Sequence, residues 1–419
     1  MHSMLGLEAL LETANRKPPR GGPRPLPTHL LTAAMTYTSS NAALPLLRNG
    51  SLSSSLATDR IESFNNAANR VDATALARAV EREGRARFDN FLRGVSAYRA
   101  HSYRRDVKEP AAVWSEGSTR LLKYAAENVT AKADLLVVPS LINRSYVLDL
   151  SSRSSFMRWL AGRGFNGYLV DWGRPSDTEQ SFDLTDYIAG RLGSAFHTIG
   201  KRTERPTIMI GYCMGGDLAL AHALRHQSDL SGLALLATPW DFHAADAVGA
   251  RAISAMADAF VPQLSLLGEL PTDFLQLLFC TLDPLLGFRK FQTFAKMDQT
   301  SDRALDFVAL EDWLNDGVPL TAQVARECLG DWYGKNTPAR GGWKIEGQAV
   351  MPNDLSIPSL AVIPAHDRIV PPESAMSLAN ALPNCQTISP QAGHIGMMTG
   401  RNAEAAVWRP LEAWLTTQC

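Results

Sequence analysis

From about residue 130 the chain alternates short apolar runs with helical patterns, and this rhythm constrains its fold more than any other feature. "DLLVVP" (134–139), "GYLV" (167–170), "TIMIG" (207–211) and "GLALLAT" (232–238) have the length and apolar character of buried strands. "SSFMRWLAGR" and "LTDYIAGRLGSAFHTIG" lie between them with helical spacing. Parallel strands need a crossover, and a helix supplies it, so the alternation predicts a mostly parallel sheet with helices on both faces. The pattern stops near residue 243. It resumes with "SLAVIPA" (359–365), a helix near 373–382, the strand "CQTIS" and a last helix near 403–416.

The rest of the chain is read around that sheet. Residues 1–27 end in "KPPRGGPRPLP" (17–27), too rich in Pro, Gly and Arg to pack, and are expected to form a flexible arm. Residues 28–125 are expected to be helical: 28–46 are small and apolar, and 75–99 place Leu, Val, Phe and Tyr at helical intervals. The sheet domain then runs through 126–242 and 351–419. Residues 243–350, rich in Leu, Phe and Trp, are expected to be a helical lid inserted into it.

Bulk properties narrow the function. The 419 residues are 45% hydrophobic and 20% charged with a formal net charge of −1, a globular composition without the basic surplus that nucleic acid demands. Cys213, Cys280, Cys328, Cys385 and Cys419 are odd in number and widely spaced, which suits reduced thiols in the cytoplasm. No signal-peptide pattern and no run of about 18 apolar residues is found. No dinucleotide fingerprint or phosphate loop is present. His222 and His226 have i, i+4 spacing but no HExxH glutamate, so a solvated helix face is expected for them and no metal.

The chemistry concentrates in "GYCMGG" (211–216), which follows one predicted strand and opens a predicted helix. That is the form of a nucleophile elbow with cysteine at the reactive position, and it specifies the α/β-hydrolase fold. Such a turn places Cys213 at a helix N-terminus, where partial positive charge favours an anion, and offers the Met214 N–H to an oxyanion. On this fold the acid and then the histidine follow the nucleophile. Asp367 in "PAHDRIVPP" and His394 in "QAGHIGMMTG" stand in that order, each in a loop after a late strand. Taken singly, Asp367 reads better as a turn or N-cap residue and His394 as a satisfied loop histidine; the ordered set of three favours a triad. A second oxyanion amide is expected in "VVPSLINRSYVLDL", at Leu141.

With these residues the chain resembles the polyhydroxyalkanoate synthases. "GYCMGG" is similar to their cysteine elbow, "VVPSLINRSYVLDL" to their first strand and oxyanion loop, and "YLVDWGRPSD", "LLATPWDFH" and "GHIG" match as well. The resemblance spans roughly residues 85–417 and leans toward the catalytic subunit of the two-subunit synthases. It implies polymerisation of 3-hydroxyacyl-CoA with release of CoA, through Cys213, Asp367 and His394 and an acyl-cysteine. No cofactor is implied beyond the CoA thioester as substrate. It also implies an accessory subunit, leaves room for a homodimer, and suggests association with polyester granules. Departures are Arg368 directly after Asp367, where the family commonly has His, and Asp217 where Thr is common.

Two rival readings stay open. One is a hydrolase on the same fold (a depolymerase, a thioesterase, or a dienelactone-hydrolase-like enzyme sharing "GYC.GG"). The other is a granule-binding protein without turnover. Phe260, Phe274, Phe279, Phe288, Trp313 and Trp332 in the lid are candidates for a water-excluding wall, or for the lid's own core.

Overall fold

In the computed structural model, residues 20–49, 58–125, 130–202, 205–259, 264 and 266–419 are described. They divide into two compact units. The first holds the residues up to Tyr103 together with Asp283–Asp312, and the second holds Arg104–Leu282 and Trp313–Cys419.

The first unit is helical. Its long helices Leu26–Arg48 and Ala73–Ala100 are joined by Leu286–Phe294. Asp72 caps the second by accepting from Ala75 N–H at 2.8 Å. Phe91, Phe288 and Phe291 form the centre, with Phe91 and Phe288 ring centroids 5.5 Å apart. The expected arm is held where it is described: the Arg20 guanidinium pairs with Asp312 (2.6 Å) and donates to the carbonyls of His101 (2.5 Å) and Tyr103 (2.7 Å). A planar fork with several donors satisfies three acceptors at once, which overrides the local Pro/Gly composition. Residues 1–19 of that arm lie outside the described residues.

The second unit is built on an eight-stranded sheet. Its strands are β1 (Ala112–Glu116), β2 (Thr119–Tyr124), β3 (Asp134–Val138), β4 (Asn166–Asp171), β5 (Thr207–Tyr212), β6 (Gly232–Leu236), β7 (Ser359–Val362) and β8 (Cys385–Ile388). They are ordered β1-β2-β4-β3-β5-β6-β7-β8. All neighbours from β4 to β8 are parallel, while β1–β2 and β2–β4 are antiparallel. The mostly parallel sheet agrees with the alternation in the sequence. β1 and β2 are a correction, since that stretch was expected to be helical. β1 is an edge strand with mixed burial, so it lacks the continuous apolar run that marked the others.

The middle strands are buried along their whole length, because helices cover both faces. Among the described residues no helix is long and apolar enough to cross a membrane. The aromatics of residues 243–350 are distributed: Phe288 belongs to the first unit, Trp332 meets Phe242 at a tilt and Trp343 edge-on, and Trp313 donates to Arg144 carbonyl oxygen at 2.7 Å. Phe260 lies outside the described residues.

Glu179 ties the loop after β4 to the β1–β2 turn. It accepts from the amides of Ser118 and Ser176 (both 3.0 Å) and from Arg191 (3.1 Å). Burial opposes its ionisation, but the Ser176 hydroxyl, these amides and Arg191 outweigh it and hold its carboxyl down at about 2 from an ordinary 4.5. A depressed carboxylate stabilises the fold above its unfolded value and loses that contribution as pH falls through the folded one. The wild-type melting temperature should therefore fall more steeply than that of Glu179→Gln between pH 4.5 and 2, measured by thermal melts across that window. Parallel curves would show that the network contributes nothing.

Candidate active site

β5 ends at Tyr212, and the next residue turns the chain into the elbow helix Met214–Arg225. Cys213 has φ +57° and ψ −135°, a backbone region unfavourable for any residue with a Cβ. It is held there by its N–H donating to Leu236 carbonyl oxygen at 2.8 Å and its carbonyl accepting from Gly216 N–H at 2.8 Å. Glycine at 215 is required by space: a Cβ there would run into the Val138 and Pro139 carbonyls. The elbow therefore sits directly against the end of β3, where the loop carrying Leu141 begins.

Asp367 and His394 arrive from loops after β7 and β8. Their contact is short, His394 Nδ1 to Asp367 Oδ2 at 2.6 Å, and both residues are buried. The other Asp367 oxygen accepts from the amides of Ile369 (2.8 Å) and Val370 (2.9 Å). The turn reading and the histidine-partner reading of Asp367 thus hold together, one for each oxygen. The His394 ring stacks on Tyr212 (centroids 5.4 Å apart, planes 24°), whose hydroxyl donates to His394 carbonyl oxygen at 3.1 Å.

The Cys213 side chain lies within electrostatic reach of the His394 ring, whose Nδ1 is engaged by Asp367. Burial disfavours the charged ring, but the charge of Cys213 and the hydrogen bonds to Asp367 and Cys213 prevail and push His394 up to about 10. The structure brings the three residues singled out in the sequence into one neighbourhood. Cys213 is half-buried.

Met214 is the first residue of the elbow helix, so its N–H stands outside the helix's own hydrogen-bond ladder. Leu141 is buried and lines a narrow cleft with Trp172, Tyr187, Leu320 and Val324. Trp172 Nε1 donates to Pro139 carbonyl oxygen at 2.9 Å and fixes the start of that loop.

His222 is buried rather than solvated. It stacks on His226 (centroids 4.4 Å apart) and meets the edge of Phe196. Burial and the His226 charge push it down to about 3, so it is a neutral packing residue. Among the described residues no cluster of three or more His, Cys, Asp or Glu is placed to hold a metal. Two features were not read as functional from the sequence. Tyr212 supports the histidine, and its place inside the elbow motif was the available signal. Asp217, noted only as a departure from the usual Thr, is fully buried one turn beyond Cys213.

The chain matches the family described as "alpha/beta hydrolase fold" over residues 135–401, and "Poly-beta-hydroxybutyrate polymerase (PhaC) N-terminus" over 107–160. It is 30% identical over 316 residues to the "Poly(3-hydroxyalkanoate) polymerase subunit PhaC" of Synechocystis sp., covering 73% of this chain and 83% of that protein. The chain belongs to the poly(3-hydroxyalkanoate) polymerase PhaC family. With the PhaC protein of Haloferax mediterranei identity is 28% over 314 residues, covering 72% of this chain and 62% of the relative, so the chain spans less than two thirds of that PhaC's length. Among solved structures, MenH from S. aureus is similar with 17% identity and a TM-score of 0.47, covering 71% of this chain and 98% of that one. The PhaC N-terminal match contains β1, β2, β3 and the Leu141 loop.

Proposed function

We propose that this chain is a polyester-forming acyltransferase that moves 3-hydroxyacyl groups from CoA through Cys213. The observation that carries this reading is the Cys213–His394–Asp367 arrangement at a strained elbow in a PhaC-family chain. Cys213 sulfur attacks the thioester carbonyl, with the Met214 and Leu141 amides receiving the oxyanion, and the C–S bond to CoA breaks. The departing CoA thiolate takes the proton held on His394. One thioester replaces another, so the step is close to thermoneutral and the acyl group remains activated.

Acylation also removes the Cys213 charge, one of the causes that raise His394. The ring then becomes a base. It takes the proton of a bound 3-hydroxyacyl hydroxyl as that oxygen attacks the acyl-cysteine, an ester forms, and Cys213 leaves with its charge restored. Asp367 keeps the imidazole oriented throughout.

The pH dependence has a defined sign. His394 must carry a proton to discharge CoA, so CoA release should decline as pH rises through about 10. A stopped-flow profile that stays flat through that range would contradict the role given to His394. The intermediate is tested by acid-quenching the protein with 3-hydroxybutyryl-CoA and mapping the adduct by mass spectrometry. The acyl group is expected on the peptide carrying Cys213; an adduct on another cysteine, or none while CoA is released, would overturn the reading.

The relatives are named polymerase subunits. On that ground we take a partner synthase subunit as part of the working assembly, and place the protein in the cytoplasm at the polymer surface. The parts of residues 243–350 that belong to the second unit are assigned the exclusion of water from the acyl-cysteine. Deleting part of that segment should raise hydrolysis relative to transfer, read as the ratio of free acid to polymer.

A further inference from the structure

Asp217 is the fourth residue of the elbow helix, and the transfer chemistry leaves it unused. It is 0% exposed. Neither carboxyl oxygen has a hydrogen-bond partner among the described residues, and none of them forms an ion pair with it. An isolated carboxylate in such a place is costlier than a carboxylic acid. Helical side chains tilt toward the N-terminus, so a residue four positions after Cys213 leans back over the turn that carries the sulfur.

The groups that face it are few. Cys213 acts on Asp217 from the same helix. From the helical segment Glu327–Gly334, Cys328 and Tyr333 lie within its electrostatic reach, and Glu327 and Asp331 act in turn on Cys328. All of these groups are neutral or negative when they titrate and so oppose a carboxylate; only the backbone N–H of Asp217 itself and the positive end of the helix favour one, and burial outweighs them. Burial first, and then the Cys213 charge, raise the Asp217 carboxyl well above its ordinary range.

We propose that Asp217 is a positioning residue for the nucleophile: a neutral carboxylic acid whose proton is coupled to the charge on Cys213 and is released more readily once that sulfur is acylated or capped. The proposal rests on Cys213 being the nucleophile. While the sulfur is charged, the acid form keeps a second negative charge out of the dry space behind the elbow. When the sulfur carries an acyl group that restraint relaxes, so the free and acylated enzymes differ in a second titration besides that of His394. A threonine at this position has no such proton.

Isotope-edited infrared spectroscopy of the full chain, with carboxyl-labelled aspartate, reads this proton directly. At neutral pH a carboxylic-acid C=O band is expected that disappears in Asp217→Asn, with Asp217→Thr as the second assignment variant should the first fail to fold. Capping Cys213 with iodoacetamide, or the Cys213→Ala substitution, should move the titration of that band about one pH unit or more lower. Absence of the band at neutral pH overturns the proposal, as does a band whose titration is unchanged in both uncharged forms. The measurement needs no CoA substrate. A protein that makes no polymer yet shows the band and its shift would refute the polymerase reading and leave this one standing.

Discussion

Cys213→Ala should lower CoA release from 3-hydroxyacyl-CoA by more than about 10³-fold, with the fold retained. In the proposed mechanism the sulfur receives the acyl group, and the other buried thiols are poor substitutes. Cys328 is buried, with its thiol pushed up by burial and by Glu327, and Cys385 is raised chiefly by burial. Neither stands at an elbow or hydrogen-bonds His394. Alanine also keeps the Cβ that the strained turn already accommodates, so thermal stability should change little. CoA release at more than a tenth of the wild-type rate, assayed with a thiol reagent, would remove Cys213 from the role of nucleophile.

The second large effect is expected at Asp367, where the two oxygens separate two roles. Asparagine retains an acceptor for the Ile369 and Val370 amides but loses the negative charge that faces His394 Nδ1. Asp367→Asn should therefore melt close to wild type while CoA release falls about 10²- to 10⁴-fold, the range of a positioned acid–base group and its orienting partner. Asp367→Ala loses the turn bonds as well and should fall in both activity and melting temperature. Equal destabilisation by Asn and Ala, with activity following stability, would reduce Asp367 to a turn residue.

These contrasts also show what the sequence made legible. Strands β3 to β7 were marked by short apolar runs because they are buried on both faces, and the elbow by glycines that the close approach of helix and strand requires. β1 and β2 carried no such run, being an antiparallel pair at the sheet edge. The grouping of Asp283–Asp312 with the N-terminal helices depends on contacts such as Phe91 with Phe288, about two hundred residues apart in sequence. His222 was misplaced because its spacing on the helix says which residues share a face but not what covers that face. Asp367 showed two competing local readings, and only the tertiary arrangement shows one oxygen serving each.

In the proposed reaction the acyl-cysteine at Cys213 is resolved by a hydroxyl and not by water. The most direct test is the product formed when the intact protein, with its partner subunit where one copurifies, is given 3-hydroxybutyryl-CoA. Insoluble polyester should form in step with CoA release, and neither should appear with Cys213→Ala. Free 3-hydroxybutyrate released in step with CoA, without polymer, would contradict this reaction and make the protein a thioesterase.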